Sequence, residues 1–247
     1  MMMLRVEGLV KRYGRQGVRV LDGVGFSVAA GECVAVLGKS GCGKSTLARC
    51  VAGLLPVTEG LLEIEGAVHS PQSRAQRRRV QMVWQDSVAS LSPFADIRGS
   101  LREAMGQELE DGERDRRLGE LAGAVGLRGE LLGRRPHELS GGEAQRAAIA
   151  RALAAEPKVL LLDEPLSALD PMTQYEILPF LREATHAAGR AALFISHDLT
   201  AVQQLADRVL FLESGMVVED RPAGAFLAGP RHPAAQAFLS AWPALPF

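Results

Sequence analysis

Short apolar segments alternate along the chain with longer segments of helical periodicity, and this alternation predicts an α/β fold with a buried sheet. Asp170 and Pro171 predict the start of a helix, because Asp is a favoured N-cap and Pro a favoured first helical residue. The predicted helices lie at 44–52, 101–105, 114–125, 142–154 and from 171 to about 188. The predicted strands lie at 4–10, 24–38 (with a turn at Ala30-Gly31 and a buried strand at 33–37), 61–66, 80–84, 159–163, 191–196, 208–213 and 216–220.

Strand signals stop between residues 91 and 155, where only helical segments occur. The sequence therefore predicts an α/β core in two parts, at 1–90 and 156–230, which is interrupted by a helical insert at 91–155. Residues 231–247 are expected to form a short C-terminal tail. We find no internal repeat and no low-complexity tract that would divide the chain further.

The composition argues against several classes of protein. A chain of 247 residues, 47% of them hydrophobic, can bury a sizeable core. The formal net charge of −1 gives no overall attraction to nucleic acid or to an anionic bilayer. Cys33, Cys42 and Cys50 lack the spacing of a disulfide framework or a zinc site, so a reducing cytosol fits best. The sequence predicts neither a signal peptide nor a membrane-spanning segment.

The segment GKSGCGKS, residues 38–45, predicts a phosphate-binding loop. It matches the GxxxxGK[ST] motif and lies between a predicted strand and a predicted helix, the context that the motif requires. Gly41 and Gly43 allow backbone N–H groups to turn toward phosphate oxygens. Lys44 supplies a cation to the outer phosphates, and Ser45 offers a hydroxyl to Mg²⁺. A chance glycine-rich turn is the alternative, and the flanking elements argue against it.

Two later strands end in polar residues that would meet this loop at the carboxyl edge of the sheet. LLLDE ends in Asp163, which fits a Mg²⁺ contact, and Glu164, which fits a general base for water. An ordinary strand cap would explain one acid, but not two beside a phosphate loop. His197 follows AALFIS and can donate to a γ-phosphate or orient water, although a lone histidine is more often structural.

Several other residues give weaker signals. Gln85 ends the predicted strand VQMVW, where an uncharged amide can contact both Mg²⁺ and water. Tyr13 in KRYG can stack on adenine, or can equally be a packing residue. Cys42 has no catalytic role to offer, but its thiol should be alkylatable and shielded by nucleotide. The basic triplet at 77–79 is more typical of a solvated edge than of a phosphate site.

A second phosphate-binding feature is present in ELSGGEAQR, residues 138–146. A serine and two glycines at the start of a predicted helix form the kind of N-terminus that binds anions. One domain would then carry two such features, about a hundred residues apart.

Together these motifs resemble those of the ATP-binding subunits of ABC transporters, over nearly the whole chain. The matching segments are, in order, an A-loop aromatic (Tyr13), Walker A (38–45), a Q-loop (Gln85), the LSGGE signature (139–143), Walker B (159–164), a D-loop (167–170) and an H-loop (His197). The signature is the most specific of them. The resemblance implies a RecA-like P-loop NTPase core with a small antiparallel β subdomain and an inserted α-helical subdomain.

The resemblance also implies ATP and Mg²⁺ as cofactors. The residues it assigns to ATP are Tyr13, Gly38, Lys39, Ser40, Gly41, Cys42, Gly43, Lys44, Ser45 and Thr46. Those it assigns to Mg²⁺ are Ser45, Gln85 and Asp163, and those it assigns to catalysis are Glu164, His197 and Gln85. In this family two subunits bind head to tail, so the signature of one contacts the ATP of the other. The interface residues are then Leu139, Ser140, Gly141, Gly142 and Glu143, with Asp170 in the D-loop.

Two stretches narrow the resemblance to ATPases that power dipeptide, oligopeptide and nickel uptake. They are WQDSVASLSP (84–93), which departs from the usual pattern at Trp84, Ser87 and Ser92, and RHPAAQAFLSAWP (231–243). No cysteine follows Cys50, which favours the short nickel or metal-chelate type. The expected partners are a second ABC ATPase, identical or homologous, a permease at the cytoplasmic face of the membrane and, indirectly, an extracytoplasmic solute-binding protein. The alternatives are a soluble ABC protein that acts on nucleic acid or the ribosome, although no nucleic acid is expected, and an exporter-linked subunit.

Overall fold

The computed structural model describes residues 1–14, 17–69, 74–106 and 109–242. The strands in these ranges are β1 (Met2–Tyr13), β2 (Val18–Ala29), β3 (Cys33–Leu37), β4 (Glu59–Ile64), β5 (Ala67–Val68), β6 (Val80–Val83), β7 (Val159–Asp163), β8 (Ala191–Ile195), β9 (Arg208–Glu213) and β10 (Met216–Pro222). The α-helices are α1 (Lys44–Val51), α2 (Arg74–Arg79), α3 (Ser87–Ser90), α4 (Ile97–Ala104), α5 (Asp111–Ala124), α6 (Gly141–Ala154), α7 (Pro171–His186), α8 (Leu199–Leu205), α9 (Ala223–Ala228) and α10 (Pro233–Ser240). Two 3-10 helices, Gly129–Gly133 and Pro136–Glu138, precede α6.

A six-stranded sheet with the order β10-β9-β3-β8-β7-β6 forms the centre of the fold. All neighbouring strands in it are parallel except β9 and β10, which form an antiparallel edge. In β3, Cys33 and Ala35 face one hydrophobic cluster and Val34 and Val36 face the other. A strand that is covered on both faces needs apolar residues at every position, which is why CVAVL could be recognised from the sequence. The parallel strands bring the P-loop, the LLLDE acids and His197 to the same edge.

A second, four-stranded sheet with the order β2-β1-β4-β5 is antiparallel throughout. Leu4 and Val28 form one of its cross-strand pairs, and both side chains are fully buried. They lie in the same cluster as Val34 and Val36, so this sheet covers one face of the central sheet. This is the small antiparallel subdomain that the sequence led us to expect, although β2 begins at Val18, earlier than the predicted residue 24.

The helical segment from α3 to α6 covers part of the other face of the central sheet. Helices α3, α4 and α5 all contact α6, which presents small alanine side chains to them. Leu101 of α4 and Leu118 of α5 lie in the same cluster as Leu160 and Leu162 of β7. Because this cluster is continuous, the helical segment is packed on the sheet rather than tethered to it. Within the described residues, no helix has the length and apolar character to cross a membrane.

In two places the structure differs in detail from the sequence predictions. Residues 233–240 were expected in a tail, but they form α10, in which Ala235 is fully buried and Phe238 packs on Phe211 of β9 at 5.4 Å between ring centroids. Residues 243–247 of the expected tail lie outside the described residues. Gln85 does not end a strand, because β6 stops at Val83. The chain then turns, and the Asp86 carboxylate accepts a hydrogen bond from Ala89 N and so caps α3.

Candidate functional site

The loop between β3 and α1 depends on glycine at defined positions. Gly38 has φ 148°, and a Cβ there would lie 2.2 Å from Leu212 O. Gly43 has φ 113°, and a Cβ there would lie 2.9 Å from Val20 O. Side chains at these two positions would overlap with the neighbouring backbone of β9 and β2, so only glycine lets the loop adopt the tight turn of the phosphate-binding motif.

Lys44 lies inside this loop and is only 7% exposed. Its Nζ donates hydrogen bonds to Gly38 O at 2.7 Å and to Lys39 O at 3.0 Å. Cys42 lies beside it, and burial raises the pKa of the Cys42 thiol, with the nearby Lys44 cation acting in the opposite direction. A buried cation held at the start of a helix gives the loop a local positive potential. The less acidic thiol should react more slowly with alkylating reagents than an exposed cysteine.

Asp163 and Ser45 come together across the loop and the end of β7. Ser45 Oγ donates to Asp163 Oδ1 at 3.4 Å, and the Asp163 side chain is buried. Burial raises the pKa of Asp163, and the hydrogen bond from Ser45 opposes that effect. A hydroxyl and a carboxylate oxygen are ligands that Mg²⁺ prefers, so this pair fits a magnesium ion beside the phosphates.

Glu164 and His197 form the opposite wall of the same site. His197 Nε2 lies 3.1 Å from Glu164 Oε1. Glu164 has φ 51°, in the left-handed region that non-glycine residues seldom occupy, and its backbone N–H donates to Ile195 O at 2.9 Å. This pairing with the end of β8 fixes the backbone of Glu164, and such strain is concentrated at functional sites.

These groups surround a cavity of about 230 Å³. Its lining combines the P-loop with the two strand ends and one residue of the small sheet that sequence reasoning had missed: Val20, Ser40, Gly41, Gly43, Lys44, Ser45, Thr46, Glu164 and His197. Five of the residues that the sequence assigned to ATP or catalysis do not line this cavity: Tyr13, Gly38, Lys39, Cys42 and Gln85. Gln85 is exposed beyond the end of β6, and Tyr13 is 39% exposed with Lys11 Nζ 5.0 Å from its ring centroid.

The signature residues do not line this cavity either, and they form a separate helix N-terminus. Ser140 caps α6: its Oγ accepts from Glu143 N at 3.3 Å, and its own N–H donates to Glu143 Oε2 at 2.8 Å. Gly142 lies against the D-loop, where an added Cβ would be 3.5 Å from Ala168 O. Asp170, which ends the D-loop, caps α7 by accepting from Met172 N and Thr173 N. The signature and the D-loop are therefore neighbours on one surface.

A buried hydrogen bond links the segment after Gln85 to the signature helix. The hydroxyl of Ser87 donates to Gln145 Oε1, and both side chains are buried. Sequence reasoning noted Ser87 only as a departure from a pattern and did not assign it a partner. The contact joins residues far apart in the chain, so it was not visible in local periodicity.

We expect Gly38→Ala to impair both stability and nucleotide binding, with Gly41→Ala as the matched variant. Gly41 also has a positive φ, 79°, but no atom lies within 4 Å of an added Cβ. Gly41→Ala should therefore lose only about 1 kcal/mol from its unfavourable φ. Gly38→Ala should lose at least about 2 kcal/mol, because overlap with Leu212 O adds to the strain. Urea unfolding and nucleotide titration measure both effects, and equal losses in the two variants would contradict the packing described here.

Comparison with known proteins agrees with this geometry. The ABC transporter family profile matches residues 21–167. The chain is 40% identical over 237 residues to the nickel import ATP-binding protein NikE of Escherichia coli (strain K12), which covers 91% of this chain and 88% of that protein. It is also 40% identical over 252 residues to a putative peptide import ATP-binding protein of Brucella ovis, covering 98% and 78% of the two chains.

Solved structures give the same result for the fold. The dimeric ATP-binding cassette MJ0796, described in a post-hydrolysis state bound to ADP and Pi, superposes with a TM-score of 0.82 at 27% identity, over 90% of this chain and 99% of that one. An ATP-binding subunit of an ABC transporter superposes with a TM-score of 0.83 at 28% identity, over 97% and 98%. The protein belongs to the ABC transporter family and has the ABC ATPase fold. It is an ATP-binding subunit whose activity is ATP hydrolysis coupled to transport, which confirms the fold and enzyme class predicted from the sequence.

Proposed function

We propose that this protein is the ATPase subunit of an importer for nickel, for metal chelates or for di- and oligopeptides. The names of the two relatives described above, one a nickel importer and one a putative peptide importer, support this range of cargo. The observation that carries the ATPase part is the cavity in which the P-loop, the Ser45–Asp163 pair and the Glu164–His197 pair meet. The subunit would act at the cytoplasmic face of the membrane, as a peripheral protein.

The proposed roles follow from the positions of the side chains. Lys44 and the N–H groups of the P-loop bind the outer phosphates, and Ser45 and Asp163 hold Mg²⁺, which neutralises phosphate charge when bound. Glu164 accepts a proton from the attacking water. His197, 3.1 Å away, orients the Glu164 carboxylate or donates to the γ-phosphate. These assignments use only groups that line or adjoin the same cavity.

Tyr13 and Gln85 keep their proposed roles only in a rearranged site. Tyr13 would stack on adenine, and Gln85 would reach Mg²⁺ and water after nucleotide binds. Gln85 lies in an exposed turn just before α3, where a change in backbone direction would disturb little packing. Order in such segments often depends on a bound γ-phosphate and its metal ion.

We further propose that two copies, or this chain and a homologous ATPase, bind head to tail. Ser140, Gly141 and Gly142 would then contact the ATP of the partner, together with Leu139 and Glu143. The exposed N-terminus of α6 lies beside the D-loop and away from the cavity of its own chain, which supports such a shared site. ATP would join the two surfaces, and hydrolysis would separate them. The division at 1–90, 91–155, 156–230 and 231–247 is part of the same proposal.

A groove between the central sheet and the helical segment is the proposed permease-binding site. This cavity of about 290 Å³ is lined by residues of α2, β6, α4 and α6 and of the segments that follow α1 and β6, including Trp84, Glu103 and Arg151. Phe94, in the loop that leads to α4, is 91% exposed. A large apolar side chain that is exposed to this extent is typical of a protein contact, and α4, which follows Phe94 in the chain, contributes Glu103 to the groove.

Changes at this groove should uncouple transport from hydrolysis. We expect Phe94→Asp and Glu103→Ala to leave the ATPase activity of the free subunit within about twofold of wild type, because neither residue lines the phosphate cavity. ATP-driven uptake in reconstituted vesicles should fall by about tenfold or more, as for loss of an interface anchor. Val68→Asp is the control, because Val68 is an exposed apolar residue of β5 that does not line the groove. Unchanged uptake in both groove variants would count against this assignment.

The proposed function is tested by identifying what the protein binds and what it moves. Co-purification with a membrane permease, followed by ATP-dependent accumulation of nickel or of a short peptide in vesicles, is the expected result. Co-purification with ribosomes or DNA would support the soluble alternative instead. Nickel uptake without peptide uptake would select the metal importer, and the reverse result would select the peptide importer.

A further inference from the structure

A second cavity lies on the far side of the Glu164–His197 pair. Its volume is about 270 Å³, and its lining includes Ser167 of the D-loop and Trp242, which follows α10. This cavity and the phosphate cavity share two lining residues, Glu164 and His197. The pair therefore separates the two spaces, and the walls of each cavity limit where the Glu164 side chain can lie.

Trp242 is held at this second cavity by a series of aromatic contacts. Its ring lies 6.4 Å from that of Phe238 in α10, and Phe238 lies 5.4 Å from Phe211 in β9. The start of α10 is fixed as well, because the buried Glu219 carboxylate accepts from the backbone N–H groups of Arg231 and His232 at 2.8 Å. Both ends of α10 are therefore held by contacts with other elements. Through Phe238, the packing of α10 on β9 places the indole beside Glu164 and His197.

We propose that Trp242 is a positioning residue for ATP hydrolysis, which forms one wall of the second cavity and limits the room there, so that the Glu164 carboxylate stays against His197 and faces the phosphate cavity. This inference rests on the proposed role of Glu164 as the general base. The backbone of Glu164 is fixed by its left-handed φ and by its bond to Ile195 O. Its carboxylate can therefore move only by side-chain rotation, and the rotamer that it adopts depends on which neighbouring space is filled.

Loss of the indole should lower the rate of hydrolysis more than it lowers the affinity for nucleotide. Trp242 does not line the phosphate cavity, so its removal should leave Lys44 and the P-loop in place. Without the indole, the second cavity enlarges, and the carboxylate and water can enter it. A general base that spends part of its time facing the wrong cavity lowers kcat and leaves the nucleotide contacts intact.

The test compares Trp242→Ala and Trp242→Phe in the full-length protein. We expect Trp242→Ala to lower kcat on the order of tenfold with the KM for ATP within about twofold of wild type. Trp242→Phe should restore most of the rate, because a phenyl ring still fills much of the space. Leu239→Ala is the matched control, since Leu239 packs α10 on the core without lining the cavity. It should lower the melting temperature and leave kcat unchanged.

Each outcome decides the question. A Trp242→Ala kcat within about twofold of wild type would overturn the inference. So would an equal loss in Leu239→Ala, since a loosened helix would then explain the effect.

Glu164→Gln separates this inference from the proposed function. If that variant keeps its turnover, Glu164 is not the general base, and the proposed function fails independently of Trp242. If Trp242→Ala does not fold, the Trp84→Phe/Glu164→Gln variant leaves Trp242 as the only tryptophan. Its emission should then change on saturation with Mg·ATP, and an unchanged emission would overturn the proposal.

Discussion

Glu164→Gln should abolish most ATP turnover while ATP binding is retained. The substitution keeps the size of the side chain and its contact with His197 Nε2, which lies 3.1 Å from Glu164 Oε1, but removes the proton acceptor. A general base contributes about 10²–10⁴-fold to a rate, so a loss of that size is expected in single-turnover measurements. Because hydrolysis no longer separates the subunits, an ATP-bound dimer should accumulate and be visible by size-exclusion chromatography.

The chain contains a matched control for this variant. Glu156 has the same φ of 51°, but its side chain is exposed and pairs with Arg117 rather than with a catalytic group. Glu156→Gln should therefore leave turnover unchanged. If Glu164→Gln also kept turnover within a few-fold of wild type, Glu164 would not be the base.

Ser140→Arg should have an effect of similar size for a different reason. Ser140 is exposed at the start of α6 and does not line the phosphate cavity of its own chain. Nucleotide affinity of the isolated monomer should therefore stay nearly unchanged. The large cation should prevent the close backbone approach that Gly141 and Gly142 permit, so dimer formation and hydrolysis should fall together by about 10²-fold or more. Loss of ATP binding by the monomer would contradict this prediction.

Lys44→Ala is expected to show the reverse pattern. It removes the buried cation whose Nζ lies between Gly38 O and Lys39 O, so nucleotide affinity should be lost at the site of its own chain. The surface formed by the signature and the D-loop should be unaffected, because Lys44 does not contribute to it. The two variants therefore remove different halves of one proposed site.

Most of the central sheet could be predicted from the sequence because its strands are buried on both faces. β8 is apolar at every position and β7 is apolar up to its last residue, Asp163, so both strands can be recognised without knowing their neighbours in the sheet. The ends of these strands then placed Asp163, Glu164 and His197 at one edge. The same reasoning misplaced Gln85, because β6 stops before it, at Val83. Trp84 stacks with Arg49, at 5.5 Å from guanidinium carbon to ring centroid, and the chain then turns into the N-cap of α3.

The C-terminal helix could not be predicted in the same way. Helix α10 is short, and its apolar residues become informative only when Phe211 of β9 is known to lie beneath Phe238. Trp242 lines the second cavity beside Glu164 and His197, so this cavity joins the end of the described chain to two strand ends. Local periodicity carries no information about such a contact, because the contact depends on the packing of the whole sheet. The same limit applies to the Ser87–Gln145 hydrogen bond.

A mixing experiment tests most directly whether the signature of one chain completes the nucleotide site of another. Ser140→Arg and Lys44→Ala subunits are mixed, and the ATPase activity of the purified heterodimer is compared with that of each variant alone. Both changes then fall on one composite site, and the other site is wild type in every contact. Measurable turnover in the heterodimer, with almost none in either variant alone, is the predicted result. A heterodimer that forms but hydrolyses no faster than the separate variants would contradict the shared site.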